Sequence, residues 1–438
     1  MRDRTIAASK LRAGHWARCT VEGDLLFAPL CCAMTVAPAG GARGTVEPLG
    51  QFMRFVALLL CAVTVVPAGG AAAGSGVCSF ADRYPRQYVA YMSSEAPTID
   101  GRLDEAMWRD VAWSEAFVDI RGADFVPAPR LETRVKIRWD AAFLYIAAWL
   151  EEPQIWANIT QHNEVIFQDN DFEVFVDAAS SASFYKELEI NARGATWALC
   201  LNKPYANGGY ENSSRVFPGS GWDFSGAIRT AVSLEGSLNV PSDDNREWTV
   251  EMALPLADLM YNNTSQKPGP GTLWRINFSR VEWRVTVVGQ GAGHFEKRPG
   301  VPEDNWVWAP QGQVAMHLPE RWGFLQFADD LINRTVPVRD ASWTLRSLAR
   351  ILYEAQEAFY KLHGVYAASV LALAGTGEAD ILVAGTCGPQ PQISLTTVGY
   401  TARIRATGSD HQALISQDRL LVIQPCADAA CASGPIIT

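Results

Sequence analysis

At 438 residues the chain is long enough to bury a large core and to hold more than one domain. It is 48% apolar and 19% charged, ordinary for a globular protein, and its formal net charge of -10 speaks against a nucleic-acid partner, which needs a basic surface. The 15 Trp outnumber the 12 Tyr, a usage that serves aromatic ligand platforms as well as a core.

The first readable element is "MRFVALLLCAVTVVPAGGAAAGSG", residues 53–76. Arg54 supplies a short basic start, Phe55 to Val66 an apolar run, and the small residues around Ala73 a cleavage site. An apolar run of about 12 residues is too short to cross a bilayer, which takes about 20. Residues 53–76 therefore read as a signal peptide, residues 1–52 as a leader ahead of the true start at Met53, and the product as secreted. No other segment is long and apolar enough for a membrane span. N-x-[ST] sequons at Asn158, Asn212, Asn262, Asn263, Asn277 and Asn333 fit export in a host that glycosylates. Five cysteines lie beyond the signal, at 78, 200, 387, 426 and 431, and three of them cluster in the tail, where one disulfide is expected.

From residue 88 to 328 short alternating runs are separated by Gly, Pro, Asn and Asp turns. "TRVKIRWDAAFLYIAAWLEEP" (133–153) predicts a hairpin about Asp140, "KELEINARG" and "EWTVEMALPLADL" predict strands, the latter stopped by Pro255, and "LWRINFSRVEWR" and "RWGFLQFAD" add two more. Residues 101–111 predict one short helix or turn. Strands at this spacing, with few helical patterns, predict a mainly β chain built as an antiparallel β-sandwich. From 338 to 430 the character changes to a small α+β extension. Asp340 is the expected cap of a helix with Leu345, Leu348, Leu352, Ala355, Phe359 and Leu362 on one stripe, and Gly364 ends it. "ADILVAG", "ISLTTVGYTARIRA" and "DRLLVIQP" then read as strands.

The segment "FQDNDFEVFVDAA" (167–179) places Phe172, Val174 and Val176 on one side of a strand and Asp169, Asp171, Glu173, Phe175 and Asp177 on the other. The charged side admits several readings. Asp169, Asn170 and Asp171 offer the oxygen ligands of a structural calcium. Asp169, Asp171, Glu187 and Glu189 offer the paired carboxylates of a glycoside hydrolase. A solvated acidic face, or a polar rim for sugar hydroxyls, are the others. Met316 and His317 are the axial-ligand types of a haem protein, but neighbours on a strand point apart, which leaves an electron-transfer domain as the weakest reading.

"PTIDGRLDEAMW", "DNDFEVFVD", "ELEIN", "WTVEMALP", "INFSRVEW" and "EDNWVWAPQG…PERWGFLQF" follow one another in an order that resembles the family 9 carbohydrate-binding modules of secreted proteins linked to polysaccharide breakdown. The resemblance implies a β-sandwich that binds an oligosaccharide or polysaccharide without catalysis and without a cofactor. It puts Trp308 and Phe167 at the two positions that sandwich a sugar ring, Phe167 standing where a Trp is expected. It puts Glu173 and Asn191 at the positions that bond hydroxyls, and Glu189 where an Arg is expected. Trp222, in a long Gly-rich loop, is a further aromatic candidate. A pyranose offers apolar C–H faces and a belt of hydroxyls, so an aromatic face and fixed polar groups are what it needs.

Overall fold

The computed structural model describes residues 77–241, 244–261, 265–291 and 293–426. The expected leader and signal peptide lie outside them. The chain is mainly β. Its larger sheet has 13 strands: β1 (Gln87–Met92), β2 (Val118–Asp119), β3 (Thr133–Trp139), β4 (Phe143–Glu151), β5 (Asp171–Asp177), β6 (Tyr185–Asn191), β7 (Thr196–Leu201), β8 (Glu211–Asn212), β9 (Arg229–Glu235), β10 (Glu247–Pro255), β11 (Leu273–Glu282), and, after the separate hairpin β12 (Val285–Val288) and β13 (His294–Lys297), β14 (Asp304–Val307) and β15 (Gly323–Ala328). The order along the sheet is β8-β7-β6-β5-β11-β15-β1-β3-β4-β10-β9, with β14 and β2 branching from β11.

The sheet curls so that its two halves share one core. Phe172 and Val174 of β5, Leu188 of β6 and Phe278 of β11 pack in the same cluster as Val135 and Ile137 of β3, Ile146 of β4 and Trp248 of β10. These inner positions alternate along each strand, as the two-residue period requires. The expected hairpin forms as β3 and β4 in antiparallel register, Ile137 opposite Ile146, and the ladder of β10 ends at Pro255. The halves are joined by β1, which pairs in parallel with both β15 and β3. The short helix expected within 101–111 is Ala106–Arg109.

The C-terminal part packs a long helix, Trp343–His363, on a four-stranded sheet of β16 (Gln392–Leu395), β17 (Tyr400–Arg405), β18 (His411–Ser416) and β19 (Leu421–Pro425). Leu345, Leu348, Ile351 and Leu352 form its core with Tyr400, Ile404 and Ile415. Three expectations change here. Ser342 is the residue before the helix, and Asp340 acts one step back, accepting the Ser342 N–H at 2.8 Å. "ADILVAG" is a helical turn, Asp380–Val383, not a strand, because a four-residue apolar run has no period of its own to choose between the two. The strand β18 was not foreseen. The N-terminal residues join this unit: Phe80 is buried in its core, Trp343 Nε1 donates to the Phe80 carbonyl at 2.9 Å, and Cys78 is disulfide-bonded to Cys387.

Ion pairs and backbone bonds fasten the C-terminal unit to the sandwich. Arg321 pairs with Glu354 of the helix at 2.6 Å and Arg419 with Glu320 at 2.8 Å. Arg346 donates to the Ser180 carbonyl at 2.7 Å, and the Leu421 N–H to that of Ser181 at 3.1 Å.

Candidate ligand-binding site

The outer face of β5 and β6 carries the acidic side chains read from the sequence. Register pairs Asp171 with Asn191, Glu173 with Glu189 and Phe175 with Glu187. Yet every residue of both strands is buried. The face is covered by the 156–169 segment and by the run that ends at Trp322: Ile166, Trp197 and Trp322 are buried over it, with Ile159, Val165, Phe167 and Met316 partly buried beside them. A polar strand face does not reveal from its own pattern that a loop will lie on it.

Four carboxylates, those of Asp171, Glu173, Glu187 and Glu189, therefore sit in a buried layer. Burial pushes the Glu173 carboxyl up to about 7. Burial, reinforced by the charge of Glu173, holds Asp171, Glu187 and Glu189 well above the usual carboxylate range. Among the described residues no Lys, Arg or His forms an ion pair with any of them. Asp171 Oδ2 and Glu187 Oε2 are buried without a hydrogen-bond partner. Carboxylate oxygens of Asp171, Glu173 and Glu189 lie within 4.8 Å of one another. That is the span of oxygens around one hard cation bound at about 2.3–2.6 Å.

The structure redistributes the expected roles. Trp308 is not a platform: its side chain is 0% exposed, its ring meets Phe278 edge-on at 6.0 Å, and its Nε1 donates to Glu115 at 3.2 Å. It belongs to the inner core, roofed so closely by Gly323 that a Cβ there would stand 2.2 Å from the indole. Asn191 is saturated. Its Nδ2 donates to the Ile159 carbonyl and to Asp169, and its Oδ1 accepts from the N–H groups of Arg193 and Ala195. An amide has two donors and two acceptor sites, so none is left for a hydroxyl. Asp169 Oδ2 accepts from Asn158 N, Ile159 N and Asn191, and the carboxylate oxygens that converge on one another are those of Asp171, Glu173 and Glu189, without the expected Asp169. Glu189 accepts the Phe167 N–H at 2.9 Å and so pins the covering loop. Glu173 is buried beneath that loop and cannot reach a hydroxyl outside it.

Phe167 stays half-buried, stacked on Trp197 with centroids 6.3 Å apart. Trp222 lies apart from it: it packs against the inner core, under the Lys186 ammonium at 5.4 Å, and Lys186 is on the face of β6 opposite Glu189. His317 is half-buried and bonded to the Tyr185 hydroxyl at 2.9 Å, and desolvation of its ring lowers its pKa to about 4.

Outside the covering loop runs an open groove lined by Ile159, Asn163, Glu164, Val165, Gln168 and Arg215. Ile159 and Val165 give it an apolar floor, and its exposed rim holds the Gln168 amide, the Glu164 carboxylate and the Arg215 guanidinium, with the Asn163 amide buried beneath. Arg215 is exposed, lies over the Trp197 ring at 5.1 Å and pairs with Glu211. Asn163 Oδ1 accepts the Ala198 N–H and its Nδ2 donates to Asp223, whose carboxylate also accepts from His162 Nε2 at 2.8 Å. The loop that carries Arg215 also presents Tyr210 and Phe217, 53% and 41% exposed, with centroids 6.2 Å apart. Sequence reasoning passed over these three. Their signal is an aromatic–basic–aromatic set inside a Gly-, Ser- and Asn-rich loop, where nothing in the local pattern calls for core residues.

Residues 99–196 match the family described as carbohydrate family 9 binding domain-like. Among solved structures, the chain is similar to a carbohydrate-binding module of family 9 from Caldicellulosiruptor kristjanssonii in complex with cellotriose, at 16% identity and a TM-score of 0.36 over 58% of this chain and 100% of that one. The same organism's family 9 module in complex with glucose aligns at 17% identity and a TM-score of 0.34, again over 58% of this chain and 100% of the other. No curated protein matches.

Proposed function

We propose that this is a secreted, non-catalytic carbohydrate-binding protein that serves polysaccharide breakdown, and that its sugar lies in the open groove rather than on the buried acidic face. The observation that carries the reading is the groove itself, an apolar floor rimmed by Glu164, Gln168 and Arg215, most of which falls in the segment that matches the family 9 description. Tyr210 and Phe217 would stack the C–H face of a ring, and Arg215 would bond its hydroxyls. The acidic layer supports a different role. Asp171, Glu173 and Glu189 would hold a structural calcium, and their burial leaves no path for the water and leaving group of a hydrolase.

The test is calorimetric titration of the purified chain with glucose and cellotriose, repeated on Arg215→Ala, Tyr210→Ala and Phe217→Ala. These residues are exposed, so the variants keep the fold. Arg215→Ala should weaken binding at least about tenfold, the loss of a charge-assisted bond, and each aromatic change about two- to tenfold. No heat with either sugar, or binding indifferent to all three changes, would reject the groove. Release of reducing sugar from a polysaccharide would reject the non-catalytic role.

A further inference from the structure

The strand order of the large sheet ends at β8 on one side and at β9 on the other, and the two ends differ. β8 is two residues long, whereas β9 runs for seven, Arg229–Glu235, with its end residues exposed and the five between half-buried. Its ladder with β10 uses one edge only. Ser233 and Glu235 turn their carbonyls toward β10, where they accept from Thr249 Oγ1 at 3.5 Å and from the Arg246 N–H at 2.9 Å. Backbone groups of an antiparallel strand alternate between its two edges, so Thr230, Val232 and Leu234 point theirs outward. Among the described residues none bonds to that outer edge.

Sheets that end in water blunt the last strand with proline, lysine, a bulge or brevity. β9 reads RTAVSLE, without proline or lysine, and keeps continuous register with β10 over all seven residues. It is a template for one more strand, and its own sequence fits the place. Laid antiparallel on itself about Val232, it sets Thr230 opposite Leu234 and Val232 opposite Val232, so that every outward N–H and C=O finds a partner. The same register sets Arg229 of each copy opposite Glu235 of the other. Glu235 lacks a cation within its own chain: register aligns Glu151, Glu247 and Glu235 side by side across β4, β10 and β9, and like charges so placed repel. Arg229 lies over the Phe143 ring at 5.0 Å and has no carboxylate partner among the described residues. A slip of two residues in either direction would lose both charge pairs.

We infer that two copies of this chain join edge to edge through β9, antiparallel about Val232, with reciprocal Arg229–Glu235 pairs. The short β8 offers no comparable edge, so the paired sheet extends no further and the assembly closes as a two-fold dimer. The groove shares no residue with β9, and the inference stands apart from the proposed function. One strand pair buries less than the roughly 1,200 Å² of a standard stable interface, so a dissociation constant in the micromolar range is expected.

The experiment is sedimentation velocity on the purified chain from low to high micromolar concentration, with Thr230→Pro, Glu235→Arg, Arg229→Glu and the double swap of the last two. Thr230 points its N–H away from β10, so proline there spares the existing ladder and blocks the new one. A melting curve shows whether each variant is folded. The parent should pass from monomer to dimer, and each single change should weaken the dimer at least about tenfold, the scale of lost bonds to charged or backbone groups. The double swap exchanges the two charges and should restore the dimer. Mixing Glu235→Arg with Arg229→Glu should do the same, because each then meets its opposite. A parent that stays monomeric at the highest concentration overturns the inference. So does a dimer that survives all three single changes, or one that returns neither in the double swap nor in the mixture. Growth into larger species would overturn closure at two copies. Should Thr230→Pro not fold, the charge reversals and their mixture decide alone.

Discussion

Serine at both Cys78 and Cys387 should lower the unfolding free energy of the chain by about 5 kcal/mol, as measured by urea denaturation of the variant against the oxidised protein. The bond joins residues 309 apart in sequence, and the entropy removed from the unfolded chain grows with the length of the loop a cross-link closes. What it secures is the crossing of the N-terminal segment into the C-terminal unit. There Phe80 is buried, Thr344 Oγ1 donates to the Cys78 carbonyl at 2.8 Å, and Tyr84 lies edge-on to Trp343 at 5.1 Å. Without the covalent link those contacts alone must offset the cost of closing the loop. The C-terminal unit should then unfold at lower urea than the sandwich, as two transitions where the oxidised protein has one. A loss below about 1 kcal/mol would mean that the noncovalent contacts of Phe80 and Trp343 already hold the segment in place.

Glu173→Gln should stabilise the metal-free protein at pH 8 by about 3 kcal/mol and change it little at pH 4. The Glu173 carboxyl is raised from 4.5 to about 7 in the folded chain. A raised acid binds more protons folded than unfolded between those two values, so stability is full below about 4.5 and falls as pH rises through about 7. A shift of that size corresponds to about 3 kcal/mol, and the amide, equal in shape and uncharged, does not suffer the loss. Calcium reverses the comparison. If Asp171, Glu173 and Glu189 hold the ion, millimolar calcium should raise the melting temperature of the parent at pH 8 and that of Glu173→Gln much less. A parent indifferent to calcium would remove the ion from the proposed function and leave the layer as carboxyls kept neutral by shared protons.

The part of this architecture that lies within single strands was legible before the structure. The period of "DNDFEVFVD" separates Phe172, Val174 and Val176 from the carboxylates, and the structure keeps that division. The hairpin about Asp140 and the stop at Pro255 are equally local, set by turn residues and by the missing N–H of proline. What the sequence does not carry is which polar face receives a cover. Asn191 looks free on its strand, but two of its bonds go to Ile159 and Asp169, in the segment that folds over it. Arg280 sits among apolar positions of "INFSRVEW" because Glu152 and Glu282 meet it at 2.9 Å inside the core, and one of those partners is far off in the chain. Trp308 follows the same rule. The residue that makes room for it is Gly323, on another strand.

The parallel pairing of β1 with β15 also sets a clock. Gln87 lies opposite Phe324, so the strand that joins the two halves of the sheet is made roughly 240 residues before its partner. At about 5–20 residues per second, β1 waits on the order of 10–50 s for β15 to leave the ribosome. During that interval β3 and β4, adjacent in sequence, can pair at once, while β1 has only one of its two neighbours. A chain released or cut short before Gly323 would keep a bare strand edge, and bare edges recruit copies of themselves. Closing the sandwich is therefore among the last events in its formation, and the one most exposed to failure.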